Sequence, residues 1–339
     1  MNSTYRAVQV TEPGKFELVN RPVPETPAGK VRLRVEACGI CHTDGGTVYN
    51  AFPGLTLPRV PGHEVVGRID ALGEGVSGWK IGQRVGVGFL GGHFGVCQSC
   101  RRGDFVTCTD QPISGVHYDG GYAEVMLGIP SGLVAIPDDL SSADAAPLLC
   151  AGLTTYNALR RSPAKTGDLV AVQGIGGLGH LGVQFAAHMG FRVAAIARGA
   201  DKATLAKQLG AHHYIDSKAG DPAAALQALG GAQVIVATAS DSKSMSALVG
   251  GLAPRGRMIV VGAGSDPIEV SPFQLLFGSR SIEGALTGSA IDNEETLAFS
   301  VLADIRPMIE TVPLEKAADA FAKMERNEAR FRMVIVMEQ

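Results

Sequence analysis

The chain carries two different patterns of apolar and polar positions. In Val31-Arg32-Leu33-Arg34-Val35 apolar and charged side chains alternate, and Val65-Val66-Gly67-Arg68-Ile69 follows a Pro61-Gly62 pair. Alternation with a period of two puts the apolar side chains on one face of a strand. Short β-branched runs, interrupted by Gly and Pro, continue to about residue 148 and predict an irregular, mostly β domain. From Leu169 the pattern changes. Leu169–Val172 reads as a short buried strand, followed by a glycine-rich turn and an Ala-rich apolar helix to about Met189. Strands are then predicted at Arg192–Ala197, Tyr214–Ile215, Gln233–Thr238 and Met258–Val261, with helices at Ala200–Leu209, Ala223–Leu229 and Ser244–Leu252. Strands separated by helices imply repeated βαβ units and a parallel sheet. The tail adds a helix, Glu315–Glu325, and a last strand, Arg332–Val336. The pattern alone leaves open which domain the tail completes.

A length of 339 residues favours about two domains over one core. With 45% hydrophobic and 19% charged residues the composition is that of a soluble globular protein, and 44 glycines imply many tight turns. A formal net charge of -3 gives no basic excess for nucleic acid or an anionic membrane. The first residues, MNSTYRAVQV, lack the charged start and apolar core of a signal peptide, and no apolar run reaches the ~18 residues of a membrane span. The expectation is a cytoplasmic protein with a small-molecule partner.

Two features carry candidate chemistry. Gly174-x-Gly176-x-x-Gly179, with Gly177 and Leu178 between, follows a predicted strand and opens a predicted helix. This placement suits a dinucleotide: a tight turn, close backbone approach to a pyrophosphate, and phosphates at the positive helix end. The acidic residue that usually binds the adenosine ribose is missing at the end of the second strand, where Ala197-Arg198 stands, and no acid occurs before Asp201. Ala197 followed by Arg198, with Lys202 nearby, suits a 2′-phosphate, so NADP(H) is favoured over NAD(H), with use of both open.

The second feature is cysteine. Six cysteines are too few for a disulfide scaffold in a chain this long, and clustered cysteines in an intracellular enzyme more often bind metal or react. Cys41-His42-Thr43-Asp44, Gly62-His63-Glu64 and Cys150 contain zinc-type ligands, but they are too far apart in sequence to form a motif by themselves. Cys38-Gly39-Ile40-Cys41 has the spacing of a redox or zinc pair without a second pair nearby, so Cys38 is read as a small core residue. Cys97-x2-Cys100-x7-Cys108 lies in a polar, Gly-rich segment, 91–110, that has little to bury and would gain from a metal staple, yet it offers three ligands where a closed site takes four.

Taken together in order and spacing, Ala37–Asp44, Pro61–Gly67, Gly92–Cys108 and Gly174–Gly179 resemble the zinc-containing medium-chain alcohol dehydrogenases over essentially the whole chain. The resemblance implies an α/β protein: a GroES-like, mostly-β catalytic domain with an inserted Rossmann domain. The expected division is 1–148 catalytic, 149–288 cofactor-binding, and 289–339 returning to the catalytic domain. By similarity, Cys41, His63 and Cys150 ligate a catalytic zinc. Glu64 sits beside it and can ligate it transiently. Thr43 hydrogen-bonds the bound alcohol and begins a proton relay, Asp44 orients His63, Arg332 contacts the cofactor phosphates, and Phe52 and Phe89 line the substrate pocket. The implied reaction is reversible hydride transfer between an alcohol and NAD(P).

The chain departs from the family's pattern in three places. Gly46 stands at the position of a relay histidine. Phe94 stands at the first structural-zinc cysteine, so one firmly held zinc is expected, with the Cys97, Cys100, Cys108 site open and the Phe94 ring buried against the lobe. Ala197 replaces the acid. The family forms dimers and tetramers, and the apolar Phe273–Phe277 stretch points to a homo-oligomer, a tetramer over a dimer. Two rival readings are a zinc-free quinone or enoyl reductase of the same superfamily and a non-enzymatic dinucleotide-binding protein. Neither would require the Cys, His, Glu and Thr set.

Overall fold

The computed structural model describes residues 3–262 and 264–338. The chain divides into two compact units, Met1–Leu153 with Gly288–Gln339, and Thr154–Thr287.

The first unit is built on a seven-stranded sheet whose central strand is Val31–Ile40. Its first half alternates as the sequence predicts. Val31, Leu33 and Val35 are buried, while Arg32 and Arg34 point away and share the Asp70 carboxylate at 2.8 and 3.1 Å. From Ala37 to Cys41 every residue is buried, so the strand runs into the interior and delivers Cys41 to its end. Strand Val65–Leu72 pairs antiparallel on one side. On the other, Arg332–Val336 pairs antiparallel with Ala37–Ile40, so the C-terminal tail returns to the first unit. A separate ribbon, Thr4–Glu12 with Lys15–Pro22, completes the β part. The core of this unit holds Leu33, Ile40, Ile69, Tyr122 and Met126, all 2% exposed or less, each contributing roughly 1.5–3 kcal/mol by its burial.

The second unit is a six-stranded parallel sheet. Numbered from Leu169–Gln173 within the unit, the strand order is 3-2-1-4-5-6, the doubly wound arrangement that binds ligands beyond the carboxyl ends of its strands at the point of reversal. Leu169–Gln173 is buried along its whole length and flanked on both sides, as a central parallel strand must be.

Two predicted elements differ. The helix predicted over Ser244–Leu252 breaks up into a short helix, Ser242–Ser246, and a 3-10 turn, Val249–Gly251, with Leu252 already opening the next strand. Gly251 makes this possible: a Cβ there would lie 2.7 Å from the Leu226 side chain. The helix predicted from Ala200 starts at Ala203, because Gly199 has a positive φ of 82° and a turn precedes the helix. The helix Ala290–Leu302, capped by the reciprocal Ser289 and Asp292 bonds, is not anticipated by the sequence pattern. Among the described residues no helix is long and apolar enough to cross a membrane.

Candidate active site

Four residues from three separate stretches of the chain meet in the first unit. Cys41, His63, Glu64 and Cys150 each offer a ligand atom, and these atoms lie within 4.8 Å of one another. Each arrives by a different local device. Cys41 directly follows the central strand. His63 follows Gly62, whose φ of 106° turns the chain; a Cβ on Gly62 would lie 2.6 Å from the Tyr122 ring and 2.8 Å from the Cys38 sulfur. Glu64 occupies the space over Gly39, where a Cβ would come 1.9 Å from its carboxylate. Cys150 sits in a single π-helical turn, Leu148–Gly152, a form common at functional sites.

Asp44 fixes the geometry. Its Oδ1 lies 2.8 Å from His63 Nδ1. Its Oδ2 accepts from the Cys41 backbone N–H at 2.9 Å and from the Tyr122 hydroxyl at 3.0 Å. Both oxygens of this 2%-exposed carboxylate are therefore engaged, and the His63 ring is held with Nε2 toward the cluster. That orientation is the one a metal-binding histidine needs. His63 Nε2 and one oxygen of Glu64 are buried and have no hydrogen-bond partner among the described residues. Buried polar atoms are rarely left without one, and two thiols, an imidazole nitrogen and a carboxylate are a zinc-type donor set. The residues fit a zinc ion.

The buried groups of the cluster act strongly on one another. A hydrogen bond from Cys150 and the His63 imidazole hold Cys41 well below the ordinary thiol range, against the effect of burial. Burial works to neutralise His63, but Asp44 and Cys41 outweigh it and hold its pKa well above the usual value. Burial pushes Glu64 up to about 7, against the pull of Arg332.

Arg332 lies against the same cluster. It is 2% exposed, and its guanidinium pairs with Glu64. A carboxylate buried at 0% exposure beside a thiolate needs a cation, and the antiparallel pairing of the last strand with Ala37–Ile40 supplies it. The pattern of the tail carried no sign of this pair, which joins residues 268 positions apart.

Thr43 is exposed, with its hydroxyl 3.6 Å from the Cys41 sulfur. The Phe89 ring meets His63 edge-on at 5.2 Å. Phe52 packs over Gly46, where a Cβ would lie 2.2 Å from the ring, so the relay-histidine position is filled by an aromatic wall. Cys38 is fully buried, and burial raises its thiol pKa well above the ordinary value, as a core residue requires.

The lobe gathers its three cysteines, with Cys97 Sγ 3.4 Å from Cys100 Sγ and 3.9 Å from Cys108 Sγ. Three such sulfurs match a face of a zinc tetrahedron, whose edge is about 3.8 Å for a Zn–S bond of ~2.3 Å. The fourth corner does not fit. His93 stacks on Phe105 at 4.1 Å and Asp104 accepts from Thr107 at 2.7 Å, and neither joins the sulfur cluster. The expected burial of Phe94 is also corrected: the residue is 55% exposed. Its backbone N–H, not its ring, meets the lobe, donating to Cys108 Sγ at 3.4 Å.

In the second unit the glycine loop has the requirements of a phosphate turn. Gly174 has a φ of 88°, Gly176 faces open space, and a Cβ on Gly179 would lie 1.6 Å from the Gly174 carbonyl oxygen. The helix Gly179–His188 begins at that point. Ala197 ends the second strand and Arg198 beside it is exposed. Lys202 donates to the Ile175 carbonyl at 2.9 Å and so lies on the loop itself.

A GroES-like sheet unit with a buried Cys, His, Glu and Cys cluster, together with a doubly wound unit bearing a phosphate turn, defines a zinc-type nicotinamide dehydrogenase. Residues 27–138 match the alcohol dehydrogenase GroES-like domain, and residues 177–303 match the zinc-binding dehydrogenase domain. The chain is 41% identical over 338 residues to alcohol dehydrogenase patD of Penicillium expansum, covering 99% of this chain and 98% of that protein. It is 35% identical to an alcohol dehydrogenase of Geobacillus stearothermophilus, covering 93% and 94%. Among solved structures, a cinnamyl alcohol dehydrogenase of Sorghum bicolor superposes with a TM-score of 0.89 at 31% identity, covering 98% and 97%. CAD from Helicobacter pylori, solved in complex with NADP(H), does so with 0.87 at 27%, covering 99% of each chain. The chain belongs to the zinc-type medium-chain alcohol dehydrogenases and is an oxidoreductase acting on alcohols.

Proposed function

We propose that the chain is a zinc-dependent, NAD(P)-linked alcohol dehydrogenase whose chemistry is carried by Cys41, His63, Cys150, Glu64, Asp44 and Thr43. The observation that carries this reading is the meeting of four ligand atoms within 4.8 Å, two of them buried without a partner. A zinc ion held by Cys41, His63 and Cys150 supplies a Lewis acid that lowers the pKa of an alcohol, and the nicotinamide supplies a hydride acceptor. Asp44 keeps the His63 ring in the ligating tautomer and orientation. Thr43, exposed beside Cys41, would hydrogen-bond the alcohol and begin a relay for its proton, giving up its own as it accepts. Gly46 offers no imidazole to pass that proton on, so it leaves through water, the cofactor ribose or another side chain. Phe89 and Phe52 provide apolar surface against His63 and above Gly46, excluding water. Glu64, with one oxygen lacking a hydrogen-bond partner among the described residues, would stand beside a bound ion and could ligate it in turn. Its pairing with Arg332 limits how much negative charge the cluster carries.

Gly174, Gly176, Gly177, Leu178 and Gly179 form the cradle for the pyrophosphate. Ala197 places no negative charge against a 2′-phosphate, and exposed Arg198 can meet one, which supports NADP(H) over NAD(H). Lys202 contributes positive charge at the loop. We read the protein as a cytoplasmic homo-oligomer, a tetramer before a dimer. Phe273, Leu276 and Phe277 are 66–75% exposed, and the two Phe rings stack at 5.7 Å, an apolar patch suited to association.

Metal analysis combined with oxidation of primary, secondary and aromatic alcohols, with both cofactors, tests the reading. The expected result is a zinc-containing protein whose alcohol oxidation stops when zinc is stripped and returns when it is restored. A metal-free protein that reduces quinones or enones and leaves alcohols untouched would overturn it, as would a protein that binds cofactor and turns over neither.

A further inference from the structure

The lobe cysteines are left over by this mechanism, and their arrangement is uneven. The Cys97 sulfur lies closer to that of Cys100, at 3.4 Å, than to that of Cys108, at 3.9 Å. The Cys97 sulfur accepts the Cys100 backbone N–H at 3.5 Å, at the start of the short helix Gln98–Arg101. Cys108 is tied elsewhere: its thiol donates to the Asp110 carbonyl at 3.3 Å, and its sulfur accepts the Phe94 N–H. Cys97 is half-buried and reachable, while Cys100 is 6% exposed directly behind it. In a closed four-ligand site an ion would hold all these sulfurs, but this lobe has no fourth ligand among the described residues. A Cys-x-x-Cys pair that no complete metal site secures has the spacing of a dithiol redox pair.

We propose that the lobe is a redox-responsive site in which Cys97 and Cys100 form a reversible disulfide when the protein meets a hydroperoxide. The reachable Cys97 thiolate attacks the peroxide oxygen, the O–O bond breaks, and a sulfenic acid forms with release of water after protonation. The Cys100 sulfur attacks Cys97, the S–O bond breaks, and a second water leaves. Overall two thiols and one hydrogen peroxide give one disulfide and two waters. A dithiol reverses the change by taking up the oxidation itself. The two sulfurs, 3.4 Å apart, must close by about 1.4 Å to reach the ~2.05 Å of the bond. Once the bond forms, the cluster keeps one thiol of three. Any ion shared by all three sulfurs is then released, and the short helix is pinned covalently at its first turn.

The sequence makes the product easy to recognise. No Lys or Arg lies between Arg84 and Arg101, so trypsin leaves Cys97 and Cys100 in one peptide, while Cys108 and Cys150 share another and Cys41 lies in a third. The purified full-length protein, with its bound metal, is treated with dilute hydrogen peroxide, quenched with an alkylating agent and digested. The expected product is the peptide ending at Arg101, lighter by two hydrogens and unalkylated, which becomes doubly alkylated after treatment with dithiothreitol. Released zinc, followed with a chromophoric chelator, should appear at the same rate wherever the lobe holds an ion. C108S should still give this product, and C97S and C100S should not. The proposal fails if Cys97 and Cys100 are both alkylated after peroxide has already oxidised other thiols of the chain. It also fails if Cys97 goes directly to sulfinic acid, or if the bridge joins the Arg101 peptide to the Cys108 peptide. Retention of a lobe ion that keeps all three thiols unreactive would overturn it equally.

Discussion

Asp44 Oδ1 lies 2.8 Å from His63 Nδ1, deep in the first unit and with both residues no more than 2% exposed. The contact fixes which face of the imidazole meets the neighbouring thiols. Asp44→Asn keeps the shape but removes the charge and presents an amide where a carboxylate accepted. Zinc affinity should fall by about 10–100-fold, the usual cost of losing such a support. Competition with a chelator of known affinity measures this. Unchanged affinity would mean that packing alone orients His63.

The Glu64–Arg332 pair makes a prediction about stability. Arg332→Leu leaves a carboxylate buried without its cation, which costs about 3–5 kcal/mol. In metal-free protein the cost should be smaller at low pH. Burial already pushes Glu64 to about 7 from an ordinary 4.5, and removing the cation moves it higher still. A raised carboxyl pKa means that stability is present below the ordinary value and is lost as pH rises through the folded one. Arg332→Leu should therefore melt closer to wild type at pH 5 than at pH 8, and adding Glu64→Gln should remove that pH dependence. A loss independent of pH would point to packing instead.

Thr43→Val should reduce turnover by roughly 10²–10⁴-fold, the range of a lost acid–base contribution, while Thr43→Ser should retain most of it. Kinetics of the two variants decide between them. Equal losses would show that Thr43 matters for its shape and not for its hydroxyl.

The proposed preference for NADP(H) rests on the end of the second cofactor strand, where Ala197 and Arg198 stand. Ala197→Asp places a carboxylate at the end of the second cofactor strand, able to accept from a ribose hydroxyl and to repel a 2′-phosphate. The ratio of kcat/KM for NADP(H) to that for NAD(H) should fall by at least about tenfold, or 1.4 kcal/mol. A wild-type enzyme strongly selective for NAD(H) would contradict the reading of Ala197 and Arg198.

Phe94→Cys supplies the missing thiolate from a segment whose backbone already reaches Cys108. The wild-type protein should hold about one firmly bound zinc per chain, and the variant about two, because four thiolates close the site. The variant should also melt at a higher temperature, since metal binding there adds to folding free energy. Two firmly bound zincs in the wild type would show that another group closes the lobe.

The sequence by itself determined whatever rests on local pattern. Alternation in Val31–Val35, the βαβ rhythm from Leu169, and the glycine turn at Gly174–Gly179 are read within a few residues, because strand period, helix period and turn geometry are short-range constraints. The proposed ligand set was legible only through the joint order of several motifs, since nothing local marks Cys150 as a partner of Cys41, 109 residues earlier. Tertiary structure decided the rest. It showed why Cys38 is not a ligand: its sulfur packs against Gly62, while Gly39 clears the space for Glu64. It showed that Gly46 has no side chain because Phe52 occupies its place. It set Arg332 against Glu64 through the pairing of the first unit's central strand with the last strand of the chain. These are contacts between surfaces that meet only after the chain has closed on itself. A buried charge finds its partner, and a glycine its reason, in the three-dimensional neighbourhood, where sequence separation has no bearing on distance.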